Sequence, residues 1–158
     1  MVDDWRRDRI GSAERGENPT VLARMRSGYA VIGDTQFLPG YCVLLAVPRV
    51  GSLEDLPLEA RGEFLLDMSL LGEAIAAVCH PRRLNYAIFG NADPFLHAHA
   101  FPRYLWEPDE HANKPPFHYP PDRWTDPRYL LSEERHAVLK SQLRAVLLQR
   151  MGQAGRAV

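Results

Sequence analysis

The segment Phe95-Leu96-His97-Ala98-His99-Ala100-Phe101-Pro102-Arg103 alternates with a period of two. Successive side chains of an extended strand point to opposite faces of a sheet. One face of this strand therefore carries Phe95, His97, His99 and Phe101, and the other carries Leu96, Ala98 and Ala100. The second face is small and apolar, which lets a helix pack closely on it. The first displays two imidazoles side by side. The pattern predicts a strand from Phe95 to Phe101, closed by Pro102, in a sheet with one helix-covered face.

The rest of the chain supplies the matching elements. Asn18-Pro19 has the form of a helix cap followed by a first-turn proline, which predicts a short helix through about Met25. Tyr29–Ile32 and Cys42–Val47 are short apolar runs separated by Gly33-Asp34-Thr35 and Pro39-Gly40, and they predict two strands. Ser52 to His80 predicts the longest helix, with Ser52 or Asp55 as cap and Pro57 in the first turn. Its stripe of Phe64, Met68, Leu71, Ile75 and Val78 follows helical spacing. Leu84–Phe89 predicts a strand ending at Gly90-Asn91-Ala92-Asp93-Pro94. Ser132-Glu133-Glu134 opens a last helix with Val138, Leu139, Leu143, Val146 and Leu147 on its apolar face. The order of helix, two strands, helix, two strands, helix implies an α+β fold with a mainly antiparallel sheet.

The sequence has 158 residues, about one domain at roughly 100–200 residues per domain. Three parts are expected: an N-terminal arm over residues 1–18, a core over 19–105, and a stretch over 106–158 packed on the same domain. Seven of the 13 prolines lie between Pro102 and Pro127, interleaved with Trp106, Phe117, Tyr119 and Trp124. Those aromatics need anchoring, so the stretch either ties the core to the last helix or covers a cleft, with His111 and His118 near enough in sequence to assist.

Charge narrows the function. Lys and Arg number 19 against 20 Asp and Glu, a net charge of −1. That excludes a polybasic nucleic-acid binder, whose affinity rests on many unpaired cations. Locally the balance differs: His80 to Arg103 holds Arg82, Arg83 and Arg103 and three histidines against the single acid Asp93. This is a spot of phosphate size. No run approaches the ~18 apolar residues of a membrane span, and Met1–Arg9 has no apolar signal core. Cys42 and Cys79 are too few for a disulfide framework. A cytoplasmic setting is expected, with no nucleic-acid polymer and no membrane as partner.

Three readings of His97 and His99 compete. They are ordinary strand residues, or half of a metal site completed by Asp93, His111 or His118, or a nucleophile with a neighbouring proton donor. A neutral imidazole is a good nucleophile near pH 7, and a second one beside it can bind or protonate a phosphate oxygen.

The segment Leu96–Tyr104, "LHAHAFPRY", resembles the active-site strand of the histidine triad superfamily, in which histidines alternate with apolar residues and Pro-Arg often follows. Pro39-Gly40 before the run to Pro48, the long helix after it, and the strand leading to Gly90-Asn91 agree in order, so the resemblance covers about Pro19 to Tyr104. It implies a histidine-triad-like catalytic core that hydrolyses nucleotides, dinucleoside polyphosphates of the diadenosine tetraphosphate type among them. It implies a homodimer, no organic cofactor, and a divalent cation accompanying the polyphosphate. Carried over residue by residue, it makes His97 the nucleophile and His99 the phosphate-contacting histidine. Asn91, Arg103 and Asp34 become substrate-binding residues. The chain departs from the family at Phe95, where the first histidine of the triad is expected, and at Tyr41, where a histidine is expected after Gly40. A non-catalytic nucleotide-binding or sensing module is the alternative, and the His-x-His metal site a further one.

Overall fold

A computed structural model describes residues 4–158. Five strands form one antiparallel sheet in the order β1-β2-β3-β5-β4: β1 (Val21–Met25), β2 (Gly28–Ile32), β3 (Cys42–Ala46), β4 (Arg83–Ala87) and β5 (His97–Arg103). A short helix α1 (Arg9–Glu14) precedes the sheet. The long helix α2 (Leu58–Cys79) lies between β3 and β4. After β5 come two single-turn helices, α3 (Asp109–Ala112) and α4 (Asp122–Thr125), and then α5 (Glu133–Gln153).

The two long helices cover one face. Ala98 and Ala100 of β5, with Leu96 before it, share a core with Phe64, Leu71 and Ile75 of α2 and with Leu143, Leu147 and Met151 of α5. Phe64 is fully buried, and truncating such a phenylalanine to alanine costs about 3–5 kcal/mol in lost transfer energy and residual cavity. α2 starts later than its polar residues suggest. Ser52 and Asp55 form a reciprocal capping box on a separate 3-10 turn, and Pro57 caps α2 itself. The helix ends at His80, whose φ of 50° is left-handed and cannot continue it. Ser132 caps α5 by accepting a hydrogen bond from the Arg135 N–H. Val138 is exposed, so the buried stripe of α5 is Leu143, Leu147 and Met151.

Two further local expectations are corrected. Val21–Met25 is a strand and no helix follows Asn18-Pro19. Asn18 Oδ1 accepts hydrogen bonds from the Thr20 N–H and hydroxyl at 3.0 and 2.6 Å, which closes a turn around Pro19. Thr20 O then accepts from Ile32 N, and β1 zips onto β2 across a two-residue turn. The second correction concerns β5, which begins at His97 and runs through Pro102 to Arg103. Pro102 pairs with Leu84 of the edge strand β4, while β3 pairs with β5 only as far as Cys42–Ala100. The missing N–H of Pro102 thus faces a position where no ladder bond is required.

The N-terminal arm packs on the other face of the sheet, where Ile10 joins Val31, Leu45 and Phe95. Trp5 is buried, with the Arg6 and Arg9 guanidinium groups 4.2 and 5.3 Å from its ring centroid. Ser12 and Asn18 donate side-chain hydrogen bonds to Trp5 O and Arg9 O, which fixes the arm. On the helix-covered face, Arg156 beyond α5 donates to buried Asp67 Oδ1 of α2 at 2.7 Å, and Asp67 Oδ2 accepts from the Ser27 N–H and hydroxyl. Among the described residues no helix is long and apolar enough to cross a membrane.

Candidate active site

The β5 register sets His97 opposite Leu45 and His99 between Val43 and Ala87. Both rings rise from the face away from α2, with centroids 4.9 Å apart at 75°. They line a cleft of about 310 Å³ that also contains Asp34, Tyr41, Phe95, Phe117, Trp124 and Arg9.

His97 is buried, 8% exposed, and its Nδ1 lies 2.8 Å from Phe95 O. A carbonyl only accepts, so Nδ1 carries a proton, and in the neutral ring Nε2 holds the lone pair. That is the state a nucleophile needs. His99 Nδ1 lies 2.7 Å from the Tyr41 hydroxyl. Burial keeps that phenol protonated, well above its ordinary range. Burial, and then the neighbouring His97, push the His99 pKa down from 6.5 to about 4. His99 is therefore neutral at pH 7. With the phenol donating to Nδ1, His99 carries its proton on Nε2.

Tyr41 sits here because β3 begins one residue later. Its ring stacks on Phe101 at 4.2 Å and 9°. A side chain at Gly33 would put Cβ 2.3 Å from the Tyr41 ring, so only glycine lets the two segments approach this closely. Phe95 stands where its ring centroid is 4.9 Å from that of His97, and the Arg49 guanidinium caps it at 5.0 Å. It is a wall of the cleft.

The other candidates separate. Asp34 reaches the cleft, gripped by Arg9 through two contacts of 3.2 and 2.5 Å. Asn91 is exposed on the loop between β4 and β5 and is not among the cleft-lining residues. Arg103 is not at the cleft. Its side chain is 3% exposed and paired with a fully buried Glu107 at 2.8 Å. All five of its N–H donors are taken, by Glu107, Asn85 Oδ1 and the carbonyls of Lys114 and His111. Burial raises the Glu107 pKa, but Arg103, the Tyr104 N–H and the Tyr119 hydroxyl outweigh it and hold the carboxyl below its usual range. Arg103 thus anchors the chain from Tyr104 to Tyr119 and has no donor for a phosphate.

That anchored stretch completes the cleft. Phe117 and Trp124 stack at 5.2 Å and 3°, and the Phe117 ring lies 5.4 Å from His99. The proline-rich segment is therefore both a tie to α5 and a cleft wall. His111 stacks under Tyr119 at 4.2 Å, outside the lining of the cleft. Among the described residues no three His, Cys, Asp or Glu side chains group as a metal would require, so neither Asp93, His111 nor His118 completes a His-x-His site. Arg9, Phe117 and Trp124 carry no local signal for the cleft in the sequence, because long-range packing alone brings them there.

The chain matches no family model and no curated protein. Solved structures do match. A histidine triad protein from Marinobacter aquaeolei is 25% identical, with a TM-score of 0.69 over 82% of this chain and 88% of that one. A histidine triad protein from Sinorhizobium meliloti is 14% identical, with a TM-score of 0.68 over 84% and 93%. The diadenosine triphosphate hydrolase of Plasmodium falciparum is 14% identical, with a TM-score of 0.59 over 82% and 77%.

Proposed function

Since the chain has the histidine triad fold, we propose that its His97–His99 cleft binds a nucleotide and hydrolyses it at the α-phosphate, with dinucleoside polyphosphates as the substrate class. The observation that carries this reading is the bond from His97 Nδ1 to Phe95 O, which leaves Nε2 as the reactive nitrogen. A strand histidine with a merely structural role has no need of a free Nε2 at the wall of a cleft.

The mechanism is a double displacement. The Nε2 lone pair of His97 attacks the α-phosphorus in line. The N–P bond forms as the bond to the bridging oxygen breaks, and the phosphate chain leaves with that electron pair. Water then attacks the phosphorus of the nucleotidyl-histidine, its protons pass to solvent, and Nε2 is restored. His99, neutral and aligned by Tyr41, donates Nε2–H to a non-bridging oxygen as charge builds there. Such a donor contributes about 10²–10³ in rate. Asp34, oriented by Arg9, accepts from the ribose hydroxyls, and Asn91 closes over the phosphates from its loop. No organic cofactor takes part, and a divalent cation arrives on the polyphosphate itself.

The second reading, a nucleotide-binding module without turnover, is favoured by one observation: the ring of Phe95 stands beside His97 where a polar side chain would support the nucleophile. Incubation with a labelled dinucleoside tetraphosphate separates the two. The expected result is release of nucleoside monophosphate and a label trapped on His97, both lost in His97→Ala while the circular dichroism spectrum is kept. Turnover by His97→Ala at the wild-type rate would overturn the assignment.

The proposal extends to a cytoplasmic homodimer. Exposed Leu65 and Leu66 on α2, 39% and 46% accessible, support an apolar contact there. Sedimentation equilibrium at micromolar concentration should return twice the mass of 17.9 kDa, and a monomer would remove this part of the reading.

A further inference from the structure

Beside the histidine cleft, residues 112–117 and β4 line a second groove of about 700 Å³. Its lining holds Arg82, Arg83, Arg103 and Lys114 and no Asp or Glu. Arg103 is neutralised by Glu107, and the Arg82 guanidinium donates to Ala112 O. Lys114 joins the hydrogen-bond network through its carbonyl. Neither its ammonium nor the Arg83 guanidinium has an ion-pair partner among the described residues, and both side chains are exposed. A concave surface lined by one sign of charge concentrates its field on an anion.

The two sites adjoin at an aromatic pair. Phe117 lines both of them. Phe89 lies 5.2 Å from Phe117, and their centroids are 6.4 and 5.4 Å from His99. Phe89 and Phe117 are 56% and 42% exposed, so ring surface is open to water at the boundary. Exposed rings beside unpaired cations are the composition that holds a phosphate chain with a base at its end.

We propose that the groove over β4 is a distal subsite that takes the phosphates beyond the scissile bond, and the second base, of an extended substrate whose α-phosphate lies at His97. Arg83 and Lys114 bind the phosphates, and Phe89 and Phe117 stack on the base. The inference rests on the nucleotide reading of the histidine cleft and names the leaving-group side of that substrate.

The test is equilibrium binding to the full chain, wild type against the double variant Arg83→Ala/Lys114→Ala, both of whose positions are exposed. Three probes are used: adenosine monophosphate, a non-hydrolysable diadenosine tetraphosphate analogue, and inorganic tripolyphosphate. The expected result is a Kd for the dinucleotide about tenfold or more weaker in the variant, as loss of charge-assisted phosphate contacts implies, with the monophosphate Kd unchanged within about twofold. An unchanged dinucleotide Kd, or equal weakening of both nucleotides, overturns the distal subsite. If wild type binds neither nucleotide, the reading of the histidine cleft fails by itself. Tripolyphosphate then decides the groove: binding to wild type that is lost in the variant supports it, and no binding to wild type overturns it.

Discussion

Tyr41→Phe removes a single oxygen from the site. The ring and its stack on Phe101 at 4.2 Å are retained, and no cavity of consequence forms. What is lost is the 2.7 Å hydrogen bond to His99 Nδ1. Leaving a buried polar nitrogen unpaired costs about 1–3 kcal/mol. For a chain of this size each kcal/mol lowers Tm by about 2–4 °C, so Tm should fall by roughly 2–12 °C. The same energy is available to turn the imidazole away from the geometry in which its Nε2–H meets the phosphate. At 1.4 kcal/mol per tenfold, kcat should fall by roughly 10- to 100-fold, with KM changed little because the contact strengthens in the transition state. The assays are thermal unfolding and steady-state hydrolysis of a dinucleoside tetraphosphate. A variant with wild-type kcat would refute the role given to His99, whatever its Tm. A fall confined to KM would make Tyr41 a substrate-binding group instead.

Two further outcomes follow from burial. His99 titrates at about 4 in the folded chain against 6.5 when unfolded, so between those values the unfolded state binds the extra proton. Stability should then decline as pH drops from about 6.5 to 4, by up to about 3 kcal/mol; urea unfolding at stepped pH checks this, and His99→Asn should flatten the profile. Glu107→Ala leaves the Arg103 guanidinium buried without its partner and should cost about 3–5 kcal/mol in urea unfolding, and a loss under about 1 kcal/mol would show that Arg103 does not anchor the segment.

The strand that carries the site could be read from sequence because its signal is local. A period of two fixes which face His97, His99 and Phe101 share, and the small residues between them fix where α2 packs. The long helix was readable for the same reason, its stripe of Phe64, Leu71 and Ile75 being set by 3.6 residues per turn. Asn18-Pro19 misleads because Asn caps helices and closes Asx turns with the same side chain, and the pairing partner that decides between them, β2, lies downstream. Arg103 misleads because its role depends on Glu107 and on carbonyls of a proline-rich loop without periodicity. Tyr41, Phe117 and Trp124 converge at the histidines through contacts 18 to 83 residues apart in sequence, and no local pattern encodes such contacts.

The stacking of Trp124 in the cleft wall has an optical consequence. Of the three tryptophans, Trp106 is 61% exposed and Trp5 is buried under Arg6 and Arg9. Trp124 alone lines the cleft, with its indole flat on Phe117 and edge-on to Phe37. Its emission therefore reports on the environment beside His97 and His99. With Trp5 and Trp106 replaced by phenylalanine, the chain becomes a single-fluorophore sensor. Occupancy of the cleft can then be followed in real time without a labelled nucleotide.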